Sequence, residues 1–187
     1  MKWRNVLLMM IAGLALGTTA SLADDATIGQ FSGGWRGAEV NASGGLALTP
    51  QDLDIRIRPD NDGFRIDWTG FARRDDGQLT REKVEASFSP TDRPGVFAFS
   101  PGGKSLLGRL LADPATGNPL KGETLLWARL EGKTLTIYSL AVNSRGGFDL
   151  DRYARTLTED GMTVRYTRRI ENEHVLTIEG RLKAAGG

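Results

Sequence analysis

Leu53-Asp54-Ile55-Arg56-Ile57-Arg58 and Phe64-Arg65-Ile66-Asp67-Trp68-Thr69, joined by Pro59-Asp60-Asn61-Asp62-Gly63, decide how this sequence reads. Apolar and polar side chains alternate on both sides of a segment rich in turn formers. Alternation with period two puts one side chain in each pair on the same face of an extended strand. Proline, aspartate, asparagine and glycine suit the backbone of a tight reversal. The stretch therefore reads as a β-hairpin with one apolar face.

The same pattern continues in both directions. Trp35 to Val40 is expected to be the first strand. Lys83 to Ser89 and Val96 to Ser100 flank Pro90-Thr91-Asp92-Arg93-Pro94-Gly95, and Thr124 to Leu130 meets Lys133 to Val142 at Glu131-Gly132. Phe148 to Leu157, Thr163 to Ile170 and His174 to Lys183 follow, with short polar breaks between them. Parallel pairing needs crossover connections of a dozen or more residues, for which these breaks leave no room. The fold class is thus all-β: an antiparallel up-and-down meander of about 8–10 strands, closed into a small barrel so that the apolar face and both sheet edges are covered. A two-sheet sandwich is the competing architecture. Pro101 to Gly122 is the one long connection. In it Leu106, Leu107, Leu110 and Leu111 recur at helical spacing, which predicts one short helix that caps a barrel mouth or completes the core.

Met1 to Ala23 has the make-up of a secretory signal peptide. Lys2 and Arg4 precede the apolar run Val6 to Leu16, and Ser21-Leu22-Ala23 offers small residues to a peptidase cutting before Asp24. The run is shorter than the roughly 20 residues a bilayer span needs. Two domain-level units follow: a leader, 1–23, and a barrel, 24–187. The reading is of a protein exported by a Sec-type signal to the periplasm or beyond, with no transmembrane segment after cleavage.

The formal net charge is +1, and the leader contributes two of the basic residues and no acid. A nucleic-acid binder needs a clear basic excess to neutralise phosphates, so that class is set aside. With no cysteine in the chain, disulfides, thiolate metal sites and cysteine nucleophiles are excluded.

Phe31-Ser32-Gly33-Gly34-Trp35-Arg36-Gly37 opens the mature part. It resembles the Gly-x-Trp start of lipocalins and other calycins, and the Gly-x-Trp-x-Gly start of nitrobindin-like barrels, through Gly33, Trp35 and Gly37. The resemblance implies a calycin-like barrel that binds small apolar ligands. It also implies a tryptophan closing one barrel end beneath a basic residue of the last strand, for which Arg181 is the candidate. Strand alternation alone places Arg181 on the face opposite Leu176, Ile178 and Leu182.

The apolar face collects Phe64, Ile66, Trp68, Leu135, Ile137, Val164, Tyr166, Leu176 and Ile178 as the expected lumen. Arg168 falls on the same face as Val164, Tyr166 and Ile170, so it is expected to point inward. A buried arginine needs a partner. An internal carboxylate or the acidic group of a ligand could serve, and fatty-acid-binding barrels are similar in setting an arginine and a tyrosine against a carboxylate. The ligand site expected on these grounds comprises Arg168, Tyr166, Trp68, Phe64 and Ile137. Tyr153 and Arg155 repeat the pattern on the preceding strand, with Asp149 and Asp151 on their face. That face reads either as an internal ion-pair network or as solvated surface.

Catalytic readings find little. His174 is the single histidine. It has no Gly-x-Ser-x-Gly elbow to serve and no second histidine for zinc. Its position near the C-terminus resembles the haem-ligating histidine of nitrobindin-like barrels, against a default of a rim side chain. Gly102-Gly103-Lys104-Ser105 lacks the first glycine of a phosphate loop, Ala98 standing in its place. Glu85, Asp149, Asp151 and Glu179 show no pairing across a cleft. The expectation is a non-enzymatic binding protein without cofactor or metal, taking a small hydrophobic or amphiphilic ligand. The alternative is an envelope interaction or inhibitor protein with a side-chain-filled core and a protein partner.

Overall fold

The structure is a computed structural model that describes residues 26–43, 47–73, 79–100, 117–142, 146–171 and 173–186. The leader, Gly102 to Ser105 and the helix expected around Leu106 to Leu111 lie outside the described residues.

A one-turn helix α1 (Ile28–Phe31) leads into ten strands: β1 (Gly33–Ala42), β2 (Ile55–Asp60), β3 (Gly63–Arg73), β4 (Leu79–Pro90), β5 (Val96–Ser100), β6 (Leu125–Glu131), β7 (Thr134–Val142), β8 (Phe148–Thr158), β9 (Gly161–Ile170) and β10 (Glu173–Ala184). Each strand pairs antiparallel with the next, and β1 pairs with β10, so the meander closes into a barrel. This is the barrel and not the sandwich. The quoted hairpin forms as β2–β3, with Ile57 opposite Ile66 and Asn61 taking the positive φ that the reversal needs. Strand β2 extends through Pro59 and Asp60, so the turn itself is shorter than the run of turn formers suggested.

Register stacks the inward side chains in rows. Ala128, Ile137, Tyr153, Tyr166 and Ile178 stand opposite one another in succession across β6 to β10. Phe64, Phe88 and Phe97 form an aromatic cluster, with ring centroids 5.0 and 5.3 Å apart. Phe64, Ile66, Leu135, Ile137 and Ile178 are fully enclosed. Burying a side chain of this size contributes about 1.5–3 kcal/mol each. The outer face carries cross-strand ion pairs, among them Arg58–Asp67, Arg65–Glu85 and Arg165–Glu179. Exposed charges of this kind belong against water, since a lipid-facing position would penalise each of them. Among the described residues no helix is long and apolar enough to cross a membrane.

The β2–β3, β4–β5, β6–β7 and β8–β9 turns lie at one end, and the β1–β2 connection and the β9–β10 reversal at the other. Helix α1 lies against the end that holds the β6–β7 turn. Phe31 is fully buried there, Ala26 donates its amide to the Gly132 carbonyl at 3.0 Å, and the Trp35 indole Nε1 donates to the Phe31 carbonyl at 2.9 Å. The β1–β2 connection folds back over the barrel wall as a 3-10 turn, Pro50–Leu53. Two glycines give it a seat. A Cβ at Gly37 would overlap the Pro50 carbonyl, and one at Gly180 would overlap Leu53. The Gly37 amide also donates to Asp54 at 2.9 Å, which ties β1 to the start of β2.

Candidate functional site

The apolar side chains expected to line the lumen pack against one another. Phe64 and Ile137 do not border open space; they are sealed in the packed core. A cavity of about 40 Å³ remains beneath the Pro50–Leu53 turn, bordered by Trp68, Phe71, Tyr153, Arg155 and Tyr166 among others. Pockets that enclose drug-sized ligands run to about 300–1,000 Å³. Large side chains, among them Phe64, Phe88, Ile66, Leu135 and Ile137, fill the space between the strands.

What the barrel encloses is a line of polar groups. Asp151 and Arg168 face each other across β8–β9, as do Tyr153 and Tyr166 one step further in. Arg168 Nη2 lies 3.2 Å from Asp149 Oδ2, and Nη1 lies 3.8 Å from Asp151 Oδ2. The Tyr166 hydroxyl donates to Asp151 Oδ1 at 2.8 Å. Arg168 therefore points inward as alternation required, and internal carboxylates already hold its charge. Burial raises the Asp151 carboxyl above its ordinary value, while Arg168 and the Tyr166 hydroxyl pull the other way. Burial also lowers the proton affinity of Arg168, but Asp151, Tyr166 and Asp149 outweigh it and hold the guanidinium protonated. Both tyrosine hydroxyls are pushed above their normal value, first by burial.

Arg155 is different. It sits between Leu135 and Val164 in register and is 3% exposed. Its guanidinium lies over the rings of Trp68 and Tyr153, at 5.6 and 5.9 Å from their centroids. Nη1 donates to the Tyr153 carbonyl at 3.2 Å. No carboxylate among the described residues pairs with it, and Nε is buried without an acceptor. Burial lowers its pKa to about 10, so it stays charged at neutral pH. Trp68 Nε1 and Arg168 Nε are likewise buried without acceptors. The face of β8 that sequence alone left undecided is thus interior, and Arg155, Tyr153 and Asp151 join Tyr166, Trp68 and Arg168 in one cluster.

The barrel-closure set divides. Trp35 is half-buried at the end that holds the β6–β7 turn, opposite Ala184 and Ile55, with Gly33 and Gly37 in the same strand. Arg181 is not its partner. It lies on the outer face, about two-thirds exposed and 3.8 Å from Glu39. Its odd position on β10 puts it on the opposite side from Leu182, and the Trp35 indole instead donates to the Phe31 backbone carbonyl. His174 is exposed, with Nε2 2.6 Å from the Thr177 hydroxyl, which is not the buried setting a haem ligand needs. Glu85 and Glu179 pair with Arg65 and Arg165. Among the described residues no three or more His, Cys, Asp or Glu side chains come together as a metal site.

The Pro50–Leu53 turn was not foreseen. Its signal is Thr49-Pro50-Gln51-Asp52, an N-cap followed by proline and a carboxylate that accepts the Thr49 amide at 2.8 Å. Searches with the whole chain match no family model and no curated protein.

Proposed function

We propose that this chain is an exported, non-enzymatic binding protein whose barrel takes a small molecule in the cavity beside Trp68, Tyr153, Arg155 and Tyr166. The observation that carries this reading is a pair of buried donors without acceptors, one of them on a charged guanidinium, on residues that border a part-open cavity in an otherwise packed barrel. Fixed donors inside an apolar wall are what a binding pocket uses to orient a ligand. The cavity size selects a compact ligand, or the polar head of an amphiphile whose tail stays outside. Export is supported by the Met1 to Ala23 pattern, and a binding role without catalysis by the engagement of Asp149 and Asp151 as partners of Arg168.

Titrating the purified protein with a lipophilic fluorophore and with fatty acids of graded chain length tests this. Short acids are expected to saturate, and long chains to do so only with the tail left outside. Saturable uptake of long chains would select the head-in, tail-out mode over a compact ligand. An absence of saturation with every ligand would remove the reading. The filled interior favours a second one, an envelope interaction protein that recognises a partner at its rim. Affinity capture of the tagged protein from a periplasmic extract, followed by reconstitution with the purified partner, separates the two.

A further inference from the structure

Arg155 and Trp68 both border one cavity and each carries a buried donor without an acceptor, while the acids nearby are committed elsewhere. Among the described residues Asp52 is the one carboxylate bordering that cavity. Its Oδ1 pairs with Arg81 Nε at 3.2 Å, and its Oδ2 accepts the Thr49 amide. Asp149 and Asp151 are held by Arg168 and Tyr166. A charged guanidinium thus belongs to a residue bordering a part-open cavity in which the one carboxylate, Asp52, is already paired. Ring faces and a single carbonyl compensate only part of the cost of burying it.

The chemistry of the vacant edge narrows the ligand. Nη1 is used by the Tyr153 carbonyl, which leaves the side of the guanidinium that carries Nε and Nη2. That side-on edge matches both oxygens of a carboxylate through two parallel hydrogen bonds. The aromatic walls of Phe71, Tyr153 and Tyr166 would take a short apolar substituent. We propose that the cavity beneath the Pro50–Leu53 turn is a receptor for a small monocarboxylate, held by the Nε–Nη2 edge of Arg155 and by the Trp68 indole N–H. This names the ligand class of the site proposed above and rests on that reading.

The experiment compares sodium formate, acetate and butyrate with sodium chloride at matched ionic strength, and with acetamide as the uncharged isostere, using calorimetric titration and thermal unfolding of the full purified chain. A carboxylate at about a hundredfold excess over Kd is expected to raise Tm by about 5–10 °C, while chloride and acetamide leave it unchanged. Arg155→Met should abolish the response. Should that variant not fold, Arg155→Lys, which keeps the charge but loses the planar fork, and Trp68→Phe should each weaken acetate by about tenfold. Equal responses to acetate and acetamide would overturn the carboxylate class and leave small-ligand binding standing. Equal responses to acetate and chloride would overturn the fork. Undiminished acetate binding by Arg155→Lys and Trp68→Phe would overturn the assignment of the site. No response to any solute would overturn both the class and the binding reading.

Discussion

Replacing Arg168 with methionine tests the internal ion-pair network most directly. The substitution keeps the length of the side chain and removes the charge that faces Asp149 and Asp151. Arg168 and Asp151 are 16% and 13% exposed in their side chains, so water compensates little, whereas Asp149 at 30% recovers some hydration. Breaking a buried pair on one side costs about 3–5 kcal/mol, because the other charge is left uncompensated. The openness of Asp149 puts this case near 3 kcal/mol, which for a domain of this size lowers Tm by about 6–12 °C. The pH dependence has a definite sign. The Asp151 carboxyl already sits above its unfolded value because of burial. An acid raised in the folded state binds its proton more tightly there than in the unfolded chain, so it destabilises the fold above its pKa and is relieved below. Losing Arg168 raises it further. The penalty in Arg168→Met should therefore be full at pH 7 and shrink as the pH falls into the carboxylate range, and adding Asp151→Asn should restore much of the loss at pH 7. Urea unfolding followed by circular dichroism at both pH values measures it. A penalty below about 1 kcal/mol, or one independent of pH, would show that the mouth hydrates these carboxylates and that the network is not a buried one.

Three further outcomes follow from the packing. Ile137→Ala should cost about 2–5 kcal/mol in chemical unfolding, because a sealed core closes only in part around the lost methyls; a smaller loss would mean slack around the aromatic cluster. Arg181→Ala should change stability by less than about 1 kcal/mol, as an exposed pair contributes little, and a larger effect would restore a closing role at Trp35. Gly37→Ala should lower Tm by more than Arg181→Ala does, since its Cβ overlaps the Pro50 carbonyl. An unchanged melting curve would mean that the turn lies elsewhere.

The strands were legible because alternation and turn chemistry agree along nearly the whole chain. Ile55, Ile57, Phe64, Ile66 and Trp68 announce one buried face without help from the rest of the sequence. The β8 face was not legible in the same way. It carries Asp149, Asp151, Tyr153 and Arg155, and the opposite face carries Leu150, Arg152, Ala154 and Thr156. Polarity alone gives no preference between them. Pairing decides it, since Tyr153 stands between Ile137 and Tyr166. Arg181 could be read either through the resemblance or through alternation, and alternation gives the observed face. The filled lumen was hidden for a different reason. Spacing tells which side chains point inward, but how much room remains depends on how the aromatic rings interdigitate across the barrel.

The pairing of Trp35 with Ala184 joins the first strand to the last. A meander held shut by β1 and β10 has no finished sheet until β10 emerges, so any form lacking either strand presents two raw edges. Such a chain gains its cooperativity late and all at once. Loss of even the C-terminal strand should therefore leave a sticky, unclosed ribbon and not a smaller stable barrel.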